Sequence, residues 1–397
     1  MNPNPPFSLG MQRQLQIYMA GMMQQKPPYP VSYEALREKA RTLLKPEAYG
    51  YVAAGAGSED TMAANLEAFR RWRIVPRILG DVSVCDLGVE LLGRRLPVPV
   101  MLAPIGVLGI IHEGAEVAVA QAARETGLPF ILSTVSSKPM DEVAAAMGDV
   151  PHWFQLYWGR DPDFTASLLS RAEAAGYSAL VVTLDTKLLA WRDRDIQNAY
   201  LPFLYGDGLA NYFSDPVFRA ALDEPPEQNP TQAILHFANV FANPALTWDD
   251  LAFLRAHTRL PILLKGILHP DDARQAVDRG VDGLIVSNHG GRQLDGAVAA
   301  LDALPGVVAA VSGRVPVLFD SGIRRGADVF KAVALGARAV LLGRPYVYGL
   351  AVGGAAGVRE VLLNLMAEID LTLALSGCSS FAEVGPDNLV HGPAGEG

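Results

Sequence analysis

Residues 287–296, which read SNHGGRQLDG, place a histidine, a glycine pair and an arginine directly after a short apolar run. A histidine exchanges a proton near neutral pH, and an arginine guanidinium matches a carboxylate with two parallel N–H donors. His289 is therefore a candidate general base and Arg292 a candidate carboxylate-binding residue. Gly290 and Gly291 are expected to let the backbone pass close to a ligand.

Polar residues also end the other short apolar runs of the chain. They are Ser133, Gln155 with Tyr157, Thr183 with Asp185, Lys265, Ser287, Asp320 and Arg344. A single serine or threonine in such a place often only caps the next helix. Repetition at nearly every run favours one shared site, in which Asp185 orients His289 and Arg192 adds a second cation. Two arginines with a tyrosine suit a small carboxylate substrate.

Two further segments have the composition of a phosphate site. DSGIRRG follows the seventh apolar run and GRP follows the eighth. Gly322, Arg324, Gly343 and Arg344 are the candidates, because backbone N–H groups and a guanidinium can converge there on a dianion. The alternative is a pair of tight turns with exposed arginines.

The elements that must position these residues alternate from about Pro97 onward. Eight short apolar runs, ending near Pro104, Ser133, Tyr157, Asp185, Gly266, Asn288, Asp320 and Arg344, are separated by Ala-rich amphipathic stretches. This alternation predicts an α/β fold in which eight parallel strands and their crossover helices close a TIM (β/α)8 barrel. Polar residues at the carboxyl ends of such strands face the active site. We expect a helical N-terminal extension at residues 1–95, the barrel at 96–380 and a C-terminal tail at 381–397.

The connection after the fourth run is much longer than the others. Residues 197–247 within it, called here the insertion, are rich in tyrosine and phenylalanine. Disordered linkers lack such residues, so an ordered lid near the barrel mouth is expected. A helical subdomain that serves assembly is the alternative.

Composition excludes several classes of protein. The 397 residues are 50% hydrophobic, and their formal net charge of −9 offers no basic face for nucleic acid. Cys85 and Cys378 have no metal-ligand spacing, and no metal site is expected. The N-terminus has no uninterrupted apolar core like that of a signal peptide, and no run approaches the length of a membrane span. A cytoplasmic protein without a membrane partner is the expectation.

Several motifs together resemble the FMN-dependent α-hydroxy acid oxidase family, which includes glycolate oxidase, lactate oxidase and lactate 2-monooxygenase. SNHGGRQ is the most specific of them. The others are YGYVAAGAGSEDT, LAPIG, FQLY, LDT followed by WRDRDIQN, LLKG, DSGIRRGADVFKAVALGA and LLGRPYVYGL, and they extend over almost the whole chain.

The resemblance implies a role for each matching residue. FMN phosphate would be bound around Gly322, Arg324, Gly343 and Arg344, with Asp320 on the ribityl chain. Lys265 would lie by flavin N1 and the C2 oxygen. The other residues of the cofactor site would be Pro104, Ile105, Gly106, Ser133, Gln155, Thr183 and Ser287. The substrate carboxylate and hydroxyl would be held by Tyr51, Tyr157, Arg192 and Arg292. His289 would be the base, supported by Asp185, for either a carbanion or a hydride mechanism.

Within the family, the resemblance is greatest to lactate 2-monooxygenase. NYFSDPVF at residues 211–218 and LAPIG at residues 102–106 carry it, and Val135 leaves room for the methyl group of lactate. A lid that retains the keto acid beside the reduced flavin implies conversion of L-lactate and molecular oxygen to acetate, carbon dioxide and water. The alternatives are an oxidase that releases the keto acid and hydrogen peroxide, or a dehydrogenase with another electron acceptor.

Two further expectations accompany the resemblance. Relatives are usually tetramers or octamers, so a homo-oligomer is expected. Lys187 stands where a proline is common in the family, which departs from the family's pattern in the fourth strand-end loop. A barrel that binds FMN or a phosphorylated ligand without turnover is the hypothesis from another class of protein.

Overall fold

The computed structural model describes residues 8–392, and its N-terminal region packs on the barrel. This region contains α1 (Leu9–Met22), α2 (Tyr33–Leu43), α3 (Pro46–Ala53), α4 (Asp60–Arg71), β1 (Trp72–Ile74), β2 (Val89–Leu91) and β3 (Arg94–Leu96). The expected extension was purely helical, whereas the structure adds a β2–β3 hairpin and pairs β1 with a strand from the C-terminal end of the chain.

The centre of the molecule is a closed barrel of eight parallel strands. In chain order the strands are β4 (Val100–Leu102), β5 (Phe130–Ser133), β6 (His152–Tyr157), β7 (Leu180–Thr183), β8 (Ile262–Ile267), β9 (Gly283–Val286), β10 (Val317–Phe319) and β11 (Ala339–Leu342). Each strand is almost entirely buried, because helices cover its outer face and the barrel core its inner face. The predicted TIM barrel is thereby confirmed.

Helices connect the strands on the outside. They are α5 (Ala115–Thr126), α6 (Met140–Met147), α7 (Pro162–Ala174), α8 (Asp193–Gln197), α9 (Ala210–Phe213), α10 (Pro216–Ala220), α11 (Pro230–Phe241), α12 (Leu251–His257), α13 (Pro270–Asp278), α14 (Ala300–Val311), α15 (Gly326–Ala334) and α16 (Arg344–Leu375). Short 3-10 turns lie at Leu108–Ile110, Pro202–Tyr205, Trp248–Asp250, His289–Gly291, Phe381–Glu383 and Pro386–Asn388. β12 (Leu389–His391) closes the described chain.

The ends of the elements follow local sequence. Gly176, Gly280 and Gly336, just past α7, α13 and α15, all have positive φ, as expected of residues that end helices. The strands stop earlier than the apolar runs indicated, for example at Thr183 rather than Asp185. The polar residues that follow have left the hydrogen-bonded ladder and belong to the loops at the barrel mouth, the end where the strands' carboxyl termini meet.

The C-terminal part of the chain differs from a loose tail. β12 pairs antiparallel with β1, so residues 389–391 are hydrogen-bonded to the N-terminal region. Residues 393–397 of the expected tail lie outside the described residues.

Helix α16 corrects one expectation from the sequence. By length and hydropathy its 32 residues are sufficient to cross a membrane, although no such run was expected. In the structure α16 bends at Gly353 and Gly354 and packs against α1, α2, α5 and α15. Its Asp370 is buried and accepts a 2.7 Å hydrogen bond from the backbone N of Gly10. These contacts are those of a helix packed within a globular fold.

The insertion folds around its own aromatic cluster. The ring centroid of Phe237 lies 4.8 Å from that of Tyr212, 5.4 Å from that of Phe203 and 5.0 Å from that of Phe241. Asn211 attaches this cluster to the barrel: its amide nitrogen donates to the carbonyl oxygen of Thr134, and its amide oxygen accepts from the N of Met140.

Asp215 supplies a second anchor within the NYFSDPVF segment. Its side chain is fully buried, caps the N-terminus of α10 and accepts a hydrogen bond from Arg171 of α7. The segment is therefore tied to the barrel at two buried polar residues, and the insertion is an ordered part of the mouth.

Candidate active site

One cleft opens at the carboxyl ends of the barrel strands and contains about 1080 Å³ of space between atoms, part of it open to solvent. It receives side chains from the N-terminal region, the barrel loops and the insertion. The sequence-predicted residues that line it are Tyr51, Pro104, Ile105, Gly106, Tyr157, Arg192, Lys265, His289, Arg292, Asp320, Gly322, Arg324, Gly343 and Arg344. The strand-end rule for this fold thus brings most of the candidates together.

His289 forms a partly buried pair with Asp185. The Nδ1 atom of His289 lies 2.8 Å from Oδ1 of Asp185, so the tautomer that fits the carboxylate carries its proton on Nδ1. The hydroxyl of Thr186 donates to the same carboxylate oxygen at 3.1 Å. This arrangement leaves Nε2 of His289 as the ring atom with a free lone pair in the cleft.

The charges around the pair decide its protonation state. Burial lowers the pKa of His289, and Lys265 and Arg192 lower it further, while the nearby Asp185 opposes them. Burial alone would raise the pKa of Asp185, but His289, Lys265 and Thr186 outweigh it and bring that pKa to about 2. At neutral pH the carboxylate is therefore ionised and the imidazole is neutral, which is the state a general base needs.

Lys265 lies between two strand-end loops. Its Nζ donates a 3.0 Å hydrogen bond to Oγ of Ser287 and lies 3.2 Å from Oδ2 of Asp320. Burial by itself lowers the pKa of Lys265, but the carboxylates of Asp320 and Asp185 more than offset this and the pKa is raised. The ammonium stays charged at the floor of the cleft.

Arg292 and Arg192 form a cationic wall on either side of Tyr51. Their guanidinium carbons lie 5.1 Å and 5.9 Å from the Tyr51 ring centroid. Burial and the neighbouring Arg192 lower the pKa of Arg292 to about 9. Two adjacent cations, Arg192 buried and Arg292 partly buried, favour an anion between them, and a carboxylate fits their geometry.

Tyr157 faces this wall from β6. Its ring packs edge-on against Phe241 of the insertion, with centroids 5.3 Å apart. Burial raises the pKa of Tyr157 well above its ordinary value, so the phenol remains a neutral hydrogen-bond donor.

Ser133, Gln155 and Thr183 form a hydrogen-bonded row beneath the cleft. The Ser133 hydroxyl donates to Oε1 of Gln155, and Nε2 of Gln155 donates to the Thr183 hydroxyl at 2.9 Å. All three side chains are buried. They are not among the residues that line the cleft, so the structure places them one layer deeper than expected, and Ser287 and Asp185 share that position.

The other end of the cleft has the donors that a phosphate requires. Gly322 and Arg324 follow β10, and Gly343 precedes the first turn of α16, whose N-terminal N–H groups favour an anion. Nε of Arg324 is buried and has no hydrogen-bond partner within the described residues. A buried N–H of a cation without a partner is costly, and a bound phosphate oxygen would satisfy it.

Arg344 lines the cleft and also contacts helix α3. Its guanidinium donates to the carbonyl oxygens of Val52, Ala54 and Gly290. Those hydrogen bonds attach the C-terminal end of α3 to the barrel and use three of the five N–H donors of the guanidinium. The phosphate role of Arg344 stays a prediction.

One expectation from the sequence needs correction. A Cβ on Gly291 would lie 2.6 Å from the backbone N of Met62, so this glycine admits helix α4 and not a ligand. Asp320 lines the cleft, where its carboxylate contacts Lys265 and accepts a hydrogen bond from Ser321, and its place on the ribityl chain stays a prediction.

Nine cleft residues were not identified as site residues from the sequence: Val52, Ala103, Thr186, Leu189, Phe203, Phe241, Ser321, Ile323 and Leu341. For Thr186 and Ser321 a signal existed, because each directly follows a predicted site residue, Asp185 or Asp320. Nothing in the sequence distinguishes Leu189, Phe203 or Phe241 from other apolar residues of the same long connection.

Comparison with known proteins agrees with this geometry. A family described as FMN-dependent dehydrogenase matches residues 40–391. The chain belongs to this family. An L-lactate oxidase of Lysinibacillus sphaericus (strain C3-41) is 44% identical over 363 residues, which cover 91% of this chain and 93% of that protein.

Other relatives are named for a different 2-hydroxy acid. A 4-hydroxymandelate oxidase of Amycolatopsis orientalis is 43% identical over 351 residues, covering 88% of this chain and 95% of the relative. A crystal structure of mandelate oxidase with (S)-4-hydroxymandelic acid matches with a TM-score of 0.81 and 41% identity, covering 91% of this chain and 98% of that one. The protein is thus an FMN-dependent oxidoreductase that acts on 2-hydroxy acids.

The residues of the cleft fit FMN as the cofactor. Arg324, Gly322 and the N-terminus of α16 would hold its phosphate, and Lys265 offers a fixed positive charge at the opposite end. When bound, FMN supplies the acceptor for the two electrons that leave the hydroxy acid.

Proposed function

We propose that the protein converts L-lactate and molecular oxygen to acetate, carbon dioxide and water. The observation that carries this proposal is the position of the insertion: Phe203 and Phe241 reach the cleft from a segment that Asn211 and Asp215 anchor to the barrel. An anchored apolar cover retards the loss of a small keto acid and gives peroxide formed beside it time to decarboxylate it.

The proposed chemistry uses His289 as the base. Its Nε2 accepts the proton that leaves the substrate, and the ionised Asp185 stabilises the imidazolium that results. Because Nδ1 is already committed to the carboxylate, the ring is held in one tautomer and one orientation. Lys265 adds positive charge that favours the electron-rich reduced cofactor.

The substrate carboxylate lies between Arg292 and Arg192 in this proposal, and the phenols of Tyr51 and Tyr157 face its oxygens. Nη1 of Arg292 makes both of its hydrogen bonds to the protein, to the carbonyl oxygens of Tyr51 and Ala54. The rest of the guanidinium faces the cleft. Fixing the carboxylate presents the α-carbon to both the base and the cofactor at reacting distance.

The apolar side of the cleft supports a small substituent on the α-carbon. Ala103, Val135, Leu189, Phe203 and Phe241 line it. A Cβ on Gly106 would lie 2.5 Å from Val135, so the loops after β4 and β5 are in close contact there. A methyl group suits such a wall, whereas a phenyl ring requires the aromatic side chains to move.

An oxidase that releases pyruvate and hydrogen peroxide is the second candidate. The names of the relatives favour it, since L-lactate oxidase and 4-hydroxymandelate oxidase are both oxidases. Both candidates use the same base and the same cationic wall, and they differ only in whether pyruvate leaves before peroxide reacts with it. The insertion therefore decides between them.

The test is the product mixture from L-lactate in air, measured by proton NMR with a parallel peroxide assay. Acetate without free peroxide is the result expected from the proposal. Pyruvate with stoichiometric peroxide would reject it in favour of the oxidase. Added catalase is the control, because it removes free peroxide and stops any decarboxylation of pyruvate that occurs in solution.

A second experiment distinguishes the proposed enzyme from a protein that binds the ligands without turnover. The His289→Gln variant of the catalyst should bind FMN normally and lose anaerobic reduction of the flavin by L-lactate. A binding protein would show no reduction in either form. (S)-Mandelate, tested in the same way, measures whether the apolar wall excludes a phenyl substituent.

A further inference from the structure

The loop that carries His289 has an unusual backbone. Three successive residues, His289, Gly290 and Gly291, have φ values of 59°, 65° and 76°. Left-handed backbone is ordinary for glycine, but for a histidine it is strained. Such a conformation persists only where the surroundings hold it, so the contacts of this loop determine where the imidazole points.

The hydroxyl of Ser321 makes the contacts that hold the loop from the barrel side. Its Oγ accepts the backbone N–H of Asn288 at 3.3 Å and that of Gly290 at 3.0 Å, and it donates to Oδ1 of Asp320 at 2.8 Å. A serine hydroxyl has one donor and two acceptor positions. All three positions are used, and the two acceptor positions bind the N–H groups of the residues on either side of His289.

These hydrogen bonds also close a ring with the cation on the cleft floor. Asp320 pairs with Lys265, Lys265 donates to Oγ of Ser287, and the same Oγ accepts the backbone N–H of His289 at 3.0 Å. Ser321 therefore connects the backbone of the base to the ion pair that faces the cofactor. Ser287 makes a parallel connection, because its Oγ contacts both Lys265 and the N–H of His289. Among the described residues, only Ser321 holds the N–H groups of Asn288 and Gly290.

Other residues hold the loop from the opposite side. The amides of Asn65 and Asn288 exchange two 2.8 Å hydrogen bonds, and Arg344 donates to the carbonyl oxygen of Gly290. These contacts engage side chains and carbonyl oxygens. The N–H groups of Asn288 and Gly290 are paired only with Ser321 among the described residues, so its hydroxyl is not duplicated.

The conformation of Ser321 itself indicates that the hydroxyl matters. Its φ is 85°, a value that a glycine would adopt with less strain. A serine there combines an unfavourable backbone with a saturated hydroxyl.

We propose that Ser321 is a positioning residue for the base: its hydroxyl holds the left-handed loop of His289 and couples that loop to the Lys265–Asp320 pair. The part of this proposal that concerns catalysis rests on the proposed role of His289. The part that concerns the loop stands on the hydrogen bonds alone.

The test compares Ser321→Gly with Ser321→Ala. Both remove the hydroxyl, but only the glycine relieves the backbone strain. If the hydroxyl is the functional group, both variants lower the limiting rate of anaerobic flavin reduction about tenfold, while the substrate concentration at half-saturation changes about twofold or less, because the arginine wall is intact.

A second measurement does not depend on the cofactor or on turnover. Hydrogen exchange followed by mass spectrometry should show about fivefold faster exchange of a peptide that covers residues 287–293 in both variants, since two N–H groups lose their acceptor. This readout remains informative if the protein proves to act on another hydroxy acid or to bind FMN without turnover.

Ser312→Gly is the matched control. Ser312 also has a left-handed φ, 51°, but it is exposed at the end of α14, away from the cleft. It should change neither the exchange of the 287–293 peptide nor the reduction rate. Wild-type exchange of that peptide in both Ser321 variants would overturn the proposal, and so would an effect confined to the alanine variant, which would assign the role to the backbone conformation. Faster exchange without slower reduction would reject the catalytic part while leaving the structural part.

Discussion

Asp185→Asn isolates the charge that supports the candidate base. Asparagine has the size and shape of aspartate, and its amide oxygen can still accept the Nδ1–H of His289, which lies 2.8 Å from Oδ1. The geometry of the pair is thus retained, while the negative charge that stabilises an imidazolium is removed. Any loss of rate then reports electrostatics and not displacement of the ring.

The magnitude follows from the pKa of the carboxyl. It falls from an ordinary 3.8 to about 2, a drop of nearly two units, and His289 is the first of the groups that lower it. At about 1.4 kcal/mol per unit, the partners stabilise the carboxylate by roughly 2–3 kcal/mol beyond the cost of its burial. If His289 accounts for half or more of this amount, the variant should reduce flavin about 10- to 100-fold more slowly.

The sign of the pH effect is independent of that magnitude. The base must be neutral, so kcat/KM rises as the pH increases through the pKa of His289. Asp185 raises that pKa against the effect of burial. Removing the charge lowers the pKa of His289 further, so the acidic limb of the profile should move to lower pH even though the plateau falls.

Anaerobic stopped-flow reduction by L-lactate across a pH series measures both effects. Thr186→Val is the control, because it removes one hydrogen bond to the same Oδ1 and leaves the charge in place. It should slow reduction by a few-fold at most. An Asp185→Asn profile whose limb stays in place or moves to higher pH would refute the assignment of His289 as the titrating base.

Three further predictions test other parts of the site. Arg324→Met should weaken FMN binding at least about tenfold in a fluorescence titration but leave riboflavin binding unchanged, since riboflavin has no phosphate; equal losses for both ligands would contradict a phosphate role. Asn211→Ala removes buried hydrogen bonds that anchor the insertion and should lower the free energy of unfolding by about 2–4 kcal/mol, measured by denaturant titration against Asn243→Ala, whose amide is only half-buried. Lys187→Met breaks the 2.7 Å hydrogen bond to the carbonyl oxygen of Leu246, which joins the start of the long connection to the end of the insertion. The ratio of released pyruvate and peroxide to acetate should be about twice as high for this variant as for the wild type.

The barrel could be predicted from sequence because its signals are local. Short apolar runs such as ILLKGI and GLIV alternate with helices that end at glycines, and the chain need only satisfy its own periodicity to form them. The same rule placed His289, Lys265 and Asp320 at one end, since residues after parallel strands meet at one rim. The family resemblance added the cofactor.

The depth of a polar residue in that rim could not be predicted in this way. Gln155 and Thr183 sit at strand ends just as Lys265 does, yet they bond to one another beneath the cleft. Which of two strand-end residues reaches the open space depends on side-chain length and on partners from neighbouring strands. Those partners are 22 to 28 residues apart in the sequence for Ser133, Gln155 and Thr183.

The contacts of the arginines with helix α3 could not be predicted from the sequence either. The sequence presents Arg344 in a Gly-Arg turn that is typical of phosphate binding, and a local interpretation assigns it to FMN. Helix α3, however, ends close to this turn, and the last carbonyl oxygens of a helix have no partners within it. Arg344 satisfies those of Val52 and Ala54, and Arg292 donates to those of Tyr51 and Ala54.

That use of the guanidiniums has a functional consequence. By capping α3, the two arginines fix Tyr51, which lies in the last turn of that helix, beside the cationic wall. The N-terminal region is thus held at the cleft by arginines of the same site. In the proposed function Arg292 would also bind the substrate, because the face of its guanidinium not used by the helix remains in the cleft. A substitution at Arg292 should therefore raise KM and loosen α3 together, whereas one at Arg192, which bonds to Arg292 O and to Gln293, should affect KM with α3 intact. Hydrogen exchange of residues 46–54 in the Arg292→Met and Arg192→Met variants separates the two roles, and equal protection of that segment in both would show that α3 does not depend on its arginine cap.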